Sequence, residues 1–184
     1  MKNTAVRDLM VPLAEYAAVP EEASLFEAVV ALEEAQNRFH RGRYPHRAVL
    51  VLDPTGRVVG KLSQNDVLRG LEPGYRRLTQ WEKTSHWELS REFIKSMLVD
   101  YDLWNRPMQD ICRKAADIRV RDIMYTPAEG EYVEVDATLD AAIHQLVVGR
   151  HQSLLVTEDQ AVVGILRLTD VFTEVVAAIK ACDI

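Results

Sequence analysis

An internal repeat restricts the folds open to this chain more than any other feature of its sequence. The motif VRDLM at residues 6–10 returns as VRDIM at residues 120–124, 114 residues later. The motif VVGKL at residues 58–62 returns as VVGIL at residues 162–166, 104 residues later. The order of the motifs is the same both times, and the change in offset is one local difference in length. The chain therefore contains two copies of one unit of roughly 60 residues.

Each copy is predicted to run strand, helix, strand, strand, helix. In the first copy, Ser24 and Glu27 fit a capping box ahead of apolar residues at helical spacing. The apolar run at residues 48–52 predicts a buried strand, and Asp53-Pro54-Thr55-Gly56 predicts a turn before the next strand. A unit with one small sheet and helices on one of its faces must bury its remaining apolar surface on its twin. The pattern therefore predicts an α+β fold of two packed units.

Between the copies lies a stretch with no counterpart in either of them. We expect one unit at residues 5–71, a helical insert at 72–117 and the second unit at 118–181. The insert is poor in Gly and Ser, and an apolar stripe at residues 93–101 predicts an amphipathic helix. It also contains a possible capping box, Ser85 with Glu88, and all three tryptophans: Trp81, Trp87 and Trp104. Two interpretations are open: helices packed on the repeats or on a dimer mate, or a ligand or partner site built on the aromatic residues.

Composition excludes several classes of protein. A net charge of -6 argues against a primary nucleic-acid binder. No apolar run approaches the ~18 residues of a membrane helix, and the N-terminus shows no secretory signal, so we expect a cytoplasmic protein. Two cysteines make neither a disulfide framework nor a metal quartet. Gly-rich phosphate loops and nucleophile elbows are absent from the sequence, so we expect no enzyme and no metal site.

One motif in the first copy carries chemistry of its own. Gly60-Lys61-Leu62-Ser63-Gln64-Asn65-Asp66 ends a predicted strand and opens a predicted helix. A carboxylate such as that of Asp66 can accept hydrogen bonds from both hydroxyls of a vicinal diol, and a helix N-terminus offers free N–H groups to phosphate. Ser63 and Asp66 also fit an ordinary helix cap. The two roles are compatible, because a capped helix can still present a carboxylate.

The doubled, ordered set of motifs resembles a tandem pair of CBS domains, named after cystathionine β-synthase and also called a Bateman module. The resemblance covers most of the chain except the insert. It implies two β-α-β-β-α units related by a pseudo-twofold axis, with adenosine nucleotides bound in clefts between them. In that family the ligand motif is Gly-x-x-(Ser/Thr)-x-x-Asp, so Asp66 is implied to hold the ribose hydroxyls and Ser63 to contact ribose or phosphate.

The second copy departs from that motif. It reads Gly164-Ile165-Leu166-Arg167-Leu168-Thr169-Asp170, with Arg167 in place of the Ser or Thr. Asp170 matches the family's aspartate. Arg167 is expected either to pair with phosphate or to form a salt bridge with Asp170 and close the site.

The resemblance implies further contacts to the nucleotide. His46 and Arg47 resemble a His-Arg pair that faces phosphate in the γ subunit of AMP-activated protein kinase, although a packing role for His46 and a solvated loop around Arg41, Arg43 and Arg47 are alternatives. For the adenine, the residues implied at the first site are Val11, Pro12, Ala17 and Ala48. Those implied at the second site are Tyr125, Thr126, Pro127, Val133 and Ser153.

These observations lead to two hypotheses on function. The first is a regulatory module that senses AMP, ADP or ATP in the cleft between the units and reports to a protein partner, with no cofactor required. The second is a structural or protein-interaction module without a nucleotide ligand. The resemblance also implies a homodimer, with the helices at residues 24–38 and 171–180 as a self-complementary face.

Overall fold

A computed structural model describes residues 4–38, 46–72, 74–75, 90–105 and 108–182. Within these ranges the α-helices are α1 (Leu25–Arg38), α2 (Gln64–Leu71), α3 (Arg91–Asp100), α4 (Met108–Asp117), α5 (Leu139–Gly149) and α6 (Leu168–Lys180). The strands are β1 (Val11–Pro12), β2 (Ala18–Pro20), β3 (Ala48–Leu52), β4 (Val58–Ser63), β5 (Tyr132–Glu134), β6 (Ser153–Glu158) and β7 (Ala161–Arg167). The predicted α+β fold is confirmed.

The two copies form two sheets of the same design. One sheet has the order β2-β3-β4, and the other has the order β1-β7-β6-β5. In the first sheet, β2 runs parallel to β3, and β3 pairs antiparallel with β4. In the second, β5 runs parallel to β6, and β6 pairs antiparallel with β7. Strands β4 and β7 each lead directly into a helix, so α2 and α6 begin at equivalent places.

Local signals in the sequence explain where the first copy's elements begin and end. The predicted capping box at α1 forms: the Ser24 backbone N–H donates to Glu27 Oε2 over 2.7 Å, and the Glu27 N–H donates to Ser24 Oγ over 3.2 Å. The predicted turn also forms, with the Gly56 N–H donating to the Asp53 carbonyl over 2.9 Å. The short parallel strand of this copy, β2, follows a 3₁₀ turn at Leu13–Glu15.

The opening motif of each copy packs on the other copy. The Val6 N–H donates to the Ala137 carbonyl, and the Val120 N–H donates to the Ala23 carbonyl, both over 2.9 Å. Val6 is buried in the core of the second unit, and Val120 in the core of the first. The two units are therefore joined by an exchange of their first residues as well as by contact of their surfaces.

The glycines of the repeated motif make this exchange possible. A Cβ on Gly164 would lie 2.6 Å from the Val11 carbonyl oxygen, and a Cβ on Gly60 would lie 2.6 Å from Met124 Sδ. At Gly164 the close atom belongs to the backbone, so a side chain there would push the exchanged segment away, whereas at Gly60 the Met124 side chain could move and the nearest backbone atom is the Tyr125 carbonyl oxygen at 3.1 Å. This explains why the same Val-Val-Gly sequence occurs at equivalent places in both copies.

The insert is anchored to the first unit at the end of α2. The buried carboxylate of Glu72 accepts hydrogen bonds from the Gly74 and Trp104 N–H groups, each over 3.0 Å. Lys114 on α4 donates to the Leu71 carbonyl over 3.1 Å, and α4 packs on α1 and α2. Helix α4 therefore agrees with the interpretation of the insert as helices packed on the repeats.

Helix α3 shows a different environment. The predicted helix forms, and it begins at Ser90, whose Oγ accepts from the Phe93 N–H over 3.1 Å. Among the residues that the structure describes, nothing covers its apolar stripe: Phe93, Ile94 and Leu98 are exposed. The predicted capping box at Ser85 and Glu88, together with Trp81 and Trp87, lies outside the described residues.

Candidate functional site

A cleft of about 520 Å³ lies between the two units. Both copies contribute to its walls, because the start of α2, the start of α6 and the loops before β3 and β6 all face it. Seven of the residues predicted from the sequence line this cleft: Arg47, Ala48, Ser63, Asp66, Tyr125, Ser153 and Arg167. The sequence predicted two groups of ligand residues, and the structure brings members of both groups into the same cleft.

The N-terminus of α2 presents the motif's carboxylate at the edge of the cleft. Asp66 Oδ2 accepts hydrogen bonds from the Ser63 N–H over 2.9 Å and from Ser63 Oγ over 2.6 Å. The Asp66 N–H donates back to Ser63 Oγ over 3.2 Å, which completes a capping box. Among the described residues, none donates to the other oxygen, Oδ1. Capping therefore occupies one carboxylate oxygen and leaves the second as an acceptor.

An ion pair at the cleft also joins the two units. Lys61 on β4 pairs with Glu131, which precedes β5 in the second copy, and Tyr125 donates its hydroxyl to the same carboxylate. The Lys61 ammonium also lies 5.2 Å from the centre of the Tyr125 ring, within the range of a cation–π contact. All three side chains line the cleft, and Glu131 is only 2% exposed. We call these three residues the polar trio.

Hydrogen bonds within the polar trio shift the pKa values of Glu131 and Tyr125 in opposite directions. Burial by itself would raise the pKa of Glu131, but its hydrogen bonds from Lys61, Tyr125 and the Ala128 N–H hold that pKa below its usual value. The hydrogen bond to Glu131, together with burial, raises the pKa of Tyr125 to about 12. At neutral pH the trio therefore holds an ionised carboxylate and a protonated phenol. Lys61 Nζ has three N–H donors, and the bond to Glu131 uses one of them.

At the second copy's motif, the salt-bridge alternative forms. Arg167 Nε donates to Asp170 Oδ2 over 2.5 Å, and Arg167 Nη2 donates to Asp170 Oδ1 over 2.6 Å. Both carboxylate oxygens of Asp170 are engaged by this fork, in contrast to the single engaged oxygen of Asp66. The Arg167 side chain still borders the cleft, as does Arg150, which ends α5 in a left-handed conformation. The cleft thus has guanidinium groups at its second-copy wall.

The remaining predicted residues do not line the cleft. Val11, Ala17, Val133 and Pro127 are buried, and the first three belong to core clusters of the two units. Pro12 pairs with Gly164 in the sheet. Asp170, Thr126 and His46 also lie outside the lining. Most of these residues pack the core, as the sequence's apolar pattern alone would predict.

The structure places His46 in the packing role that the sequence left open. Its side chain is fully buried, and its ring meets the Tyr16 ring edge-on, with centroids 4.2 Å apart. The neighbouring Arg47 is exposed and does reach the cleft. Burial, followed by the nearby charge of Arg167, lowers the pKa of His46 to about 4.

Acidification is expected to destabilise the protein through His46. Its pKa is about 4 in the folded chain and about 6.5 when unfolded, so the unfolded state binds more protons between these values. Stability should therefore fall as the pH drops from 6.5 towards 4, by up to about 1.4 kcal/mol per pH unit for this group. Urea unfolding at pH 7, 6 and 5 measures the slope. His46→Gln should flatten it, and an equal slope in the variant would contradict this account.

Nine cleft residues were not identified from the sequence. Gln64 and Asn65 lie inside the motif, where any ligand at the helix N-terminus would meet them. Lys61 and Glu131 could have been found by comparing the two copies, since Ile165 and Ala17 stand at their equivalent positions. The others are Tyr16, Arg150, His151, Gln152 and Thr169.

The part of the chain that the structure describes contains neither a candidate metal site nor a candidate membrane-spanning helix. There, no three His, Cys, Asp or Glu side chains are grouped so that they could hold a metal ion. Across the same residues, no helix combines the length and the apolar character that crossing a bilayer requires.

Solved structures with the same fold include two that carry nucleotides. The chain superposes on a CBS domain of a CBS domain-containing membrane protein from Sphaerobacter thermophilus with a TM-score of 0.62, at 16% identity, covering 94% of this chain and 88% of that one. A bacterial CNNM/CorC-family Mg²⁺ transporter's CBS domain in complex with ATP gives 0.59 at 20% identity, covering 95% and 89%. CBSX2 in complex with AMP gives 0.58 at 18% identity, covering 96% and 98%. At these identities the likeness establishes the fold.

Comparison of the sequence with curated proteins finds no match. The CBS domain family model matches residues 6–73 and again residues 120–177, which together make up more than half of the chain. These two regions coincide with the two copies that the repeat defined. The chain belongs to the CBS domain family, as a tandem pair of CBS domains with a helical insert between them.

Proposed function

We propose that this protein is a regulatory module that binds an adenosine nucleotide, AMP, ADP or ATP, in the cleft between its two CBS units. One observation carries the proposal: Ser63 and Asp66, the hydroxyl and carboxylate of the nucleotide motif, stand at an open cleft with Asp66 Oδ1 still able to accept. A ribose diol needs such an acceptor. The solved relatives that carry ATP and AMP support the choice of ligand.

The surroundings of Asp66 suit the rest of such a ligand. In the N-terminal turn of α2, the Gln64 N–H donates to the Arg47 carbonyl and the Asp66 N–H to Ser63 Oγ, so among the described residues the Asn65 N–H is left to attract a phosphate. Arg47 and Arg150 add positive charge to the walls of the cleft. Tyr125 and Ala48 also line the cleft, and the Tyr125 ring offers a flat surface of the kind an aromatic base requires. Together these groups match the diol, anion and ring of a nucleotide.

Thermal shift measurements against AMP, ADP, ATP and S-adenosylmethionine test this function. A ligand that binds only the folded state stabilises it by about 2.7 kcal/mol when its concentration is 100 times Kd. At least one of the three nucleotides is therefore expected to raise Tm in a concentration-dependent way. An unchanged Tm at millimolar concentrations of all four compounds would contradict the proposal.

A specific observation favours the second candidate, a module that binds a protein and no nucleotide. Helix α3 in the insert exposes Phe93, Ile94, Leu98 and Val99, although these side chains are apolar. In addition, the Arg167–Asp170 pair occupies the carboxylate at the second motif. This candidate predicts the flat thermal response described above. The two functions are therefore separated by the same measurement.

We also propose that the protein forms a homodimer through α1 and α6. Both helices expose large apolar side chains: Phe26 and Val29 on α1, and Phe172 and Ile179 on α6. Phe26→Asp and Phe172→Asp are each expected to convert a dimer into monomers, because a carboxylate is costly to bury. Size-exclusion chromatography with light scattering measures the mass. The exposed Leu68 on α2 offers a control, Leu68→Asp, and a monomeric wild-type protein would overturn the proposal.

A further inference from the structure

The two copies place different chemistry at equivalent positions. Lys61 corresponds to Ile165 at the offset of 104, and Tyr125 corresponds to Val11 at the offset of 114. The structure supports this correspondence, because Lys61 bridges to Tyr125 just as Ile165 pairs with Val11. Glu131 corresponds to Ala17, each directly before the parallel strand of its sheet. Every member of the polar trio therefore has an apolar counterpart, and we call Val11, Ala17 and Ile165 the apolar trio.

The apolar trio is packed into the interior of the protein. Val11 and Ile165 are each 1% exposed and share a core cluster with Tyr16, Leu50 and Leu155. Ala17 is buried in the neighbouring cluster. None of the three lines the cleft, whereas all three members of the polar trio do. At the position related by the repeat to the Asp66 site, the counterparts of the polar trio are thus packed into the core, although Arg167 and Thr169, the counterparts of Ser63 and Asn65, still line the same cleft.

The acceptor at that second position is also engaged. Asp170 uses both carboxylate oxygens on Arg167, at 2.5 and 2.6 Å, while Asp66 uses one oxygen on Ser63. Bidentate Arg–carboxylate pairs are among the stronger protein hydrogen bonds. A ribose at Asp170 would have to break this pair as well as displace the apolar trio.

Stability alone does not account for the polar trio. A buried ion pair is often no more stable than apolar residues of similar volume, because both charges lose their hydration. The apolar trio demonstrates that an apolar set packs at these positions of the fold. Lys61 and Glu131 border the cleft, so a ligand there would contact them.

We propose that each chain binds one nucleotide, at the Asp66 site, and that the polar trio keeps this site open while the apolar trio closes its twin. The inference rests on the proposed function and adds to it the number of ligands and the residues that determine which site accepts one. Lys61, Tyr125 and Glu131 are then specificity-determining residues of the cleft. Replacing them with their counterparts should make the open site resemble its closed twin.

Isothermal titration calorimetry with AMP on the full chain, repeated with ATP, tests this proposal. The expected stoichiometry is one nucleotide per chain, and two per chain would overturn the inference while leaving the proposed function in place. Absence of binding to the wild-type chain by AMP, by ATP and, in a third titration, by ADP would instead overturn the proposed function, and this inference with it. Stoichiometry requires no variant, so the test does not depend on whether a substituted chain folds.

A triple variant, Lys61→Ile with Tyr125→Val and Glu131→Ala, gives the second arm of the experiment. It should lose nucleotide binding by at least 100-fold while its Tm without ligand stays near or above that of the wild type. Circular dichroism verifies that it is folded. A folded triple variant that binds AMP or ATP as tightly as the wild type would overturn the role given to the polar trio.

Discussion

Replacing Asp66 with alanine is expected to weaken the binding of the preferred nucleotide by about 1.5–3 kcal/mol, the usual value of a hydrogen bond to a charged group. This corresponds to roughly 10- to 150-fold in Kd. The reason is that Asp66 Oδ1 is the acceptor left over after Ser63 has taken Oδ2. Isothermal titration calorimetry on both proteins measures the change.

The chain contains a matched control for this substitution. Ser24 and Glu27 at the start of α1 make the same capping box as Ser63 and Asp66, and Glu27 does not line the cleft. Glu27→Ala and Asp66→Ala should both lower stability through the lost capping box. Only Asp66→Ala should change the affinity. Equal Kd values for the wild type and Asp66→Ala would refute the ribose role of this carboxylate.

Replacing Glu131 with alanine is expected to lower the free energy of unfolding by about 3 kcal/mol, because removal of one partner strands the other charge in a buried position. The Lys61 side chain is only 16% exposed, so its ammonium would have little water to replace the carboxylate. The Tyr125 hydroxyl and the Ala128 N–H would lose the same acceptor. Urea unfolding monitored by circular dichroism measures the change.

An exposed ion pair between the same two units provides the comparison. Arg7 from the first copy pairs with Asp136 from the second, and their side chains are 48% and 76% exposed. Asp136→Ala is expected to cost at most about 1 kcal/mol, as exposed pairs generally do. Equal losses of stability in Glu131→Ala and Asp136→Ala would contradict the claim that burial makes breaking the Lys61–Glu131 pair the more costly change.

Much of the fold follows from local signals in the sequence. The repeat predicted two units, and capping residues such as Ser24 and Ser63 marked the starts of helices, because side-chain oxygens satisfy N–H groups that a helix leaves open. The turn at residues 53–56 was predicted from its own four residues for a similar reason. These features depend on neighbours a few positions apart.

The exchange of opening segments was not predictable in the same way. Val6 packs among residues of the second copy, more than 120 positions along the chain. Its sequence neighbourhood is compatible with packing on either unit. The exchange became visible only in the hydrogen bonds between residues 4–7 and 135–139. Those hydrogen bonds join residues that are far apart in the sequence, so no periodic pattern of apolar residues predicts them.

In the candidate site, too, the local features were predictable from the sequence and the long-range ones were not. The motif itself predicted Ser63 and Asp66, since their chemistry and their spacing are local. The Lys61–Glu131 pair spans 70 residues and was missed. His46 was ambiguous because a polar side chain before an apolar strand is compatible with a ligand role and with the core position that it occupies.

The most direct test of the central claim is a crystal structure of the full chain grown with saturating AMP. The account predicts one nucleotide per chain, with its ribose hydroxyls within hydrogen-bonding distance of the Asp66 carboxylate and its base beside Tyr125. The position related by the repeat, at Asp170, is predicted to keep its pair with Arg167. A nucleotide bound elsewhere on the chain, or a cleft that stays free of nucleotide in crystals saturated with AMP, with ADP and with ATP in turn, would contradict the account.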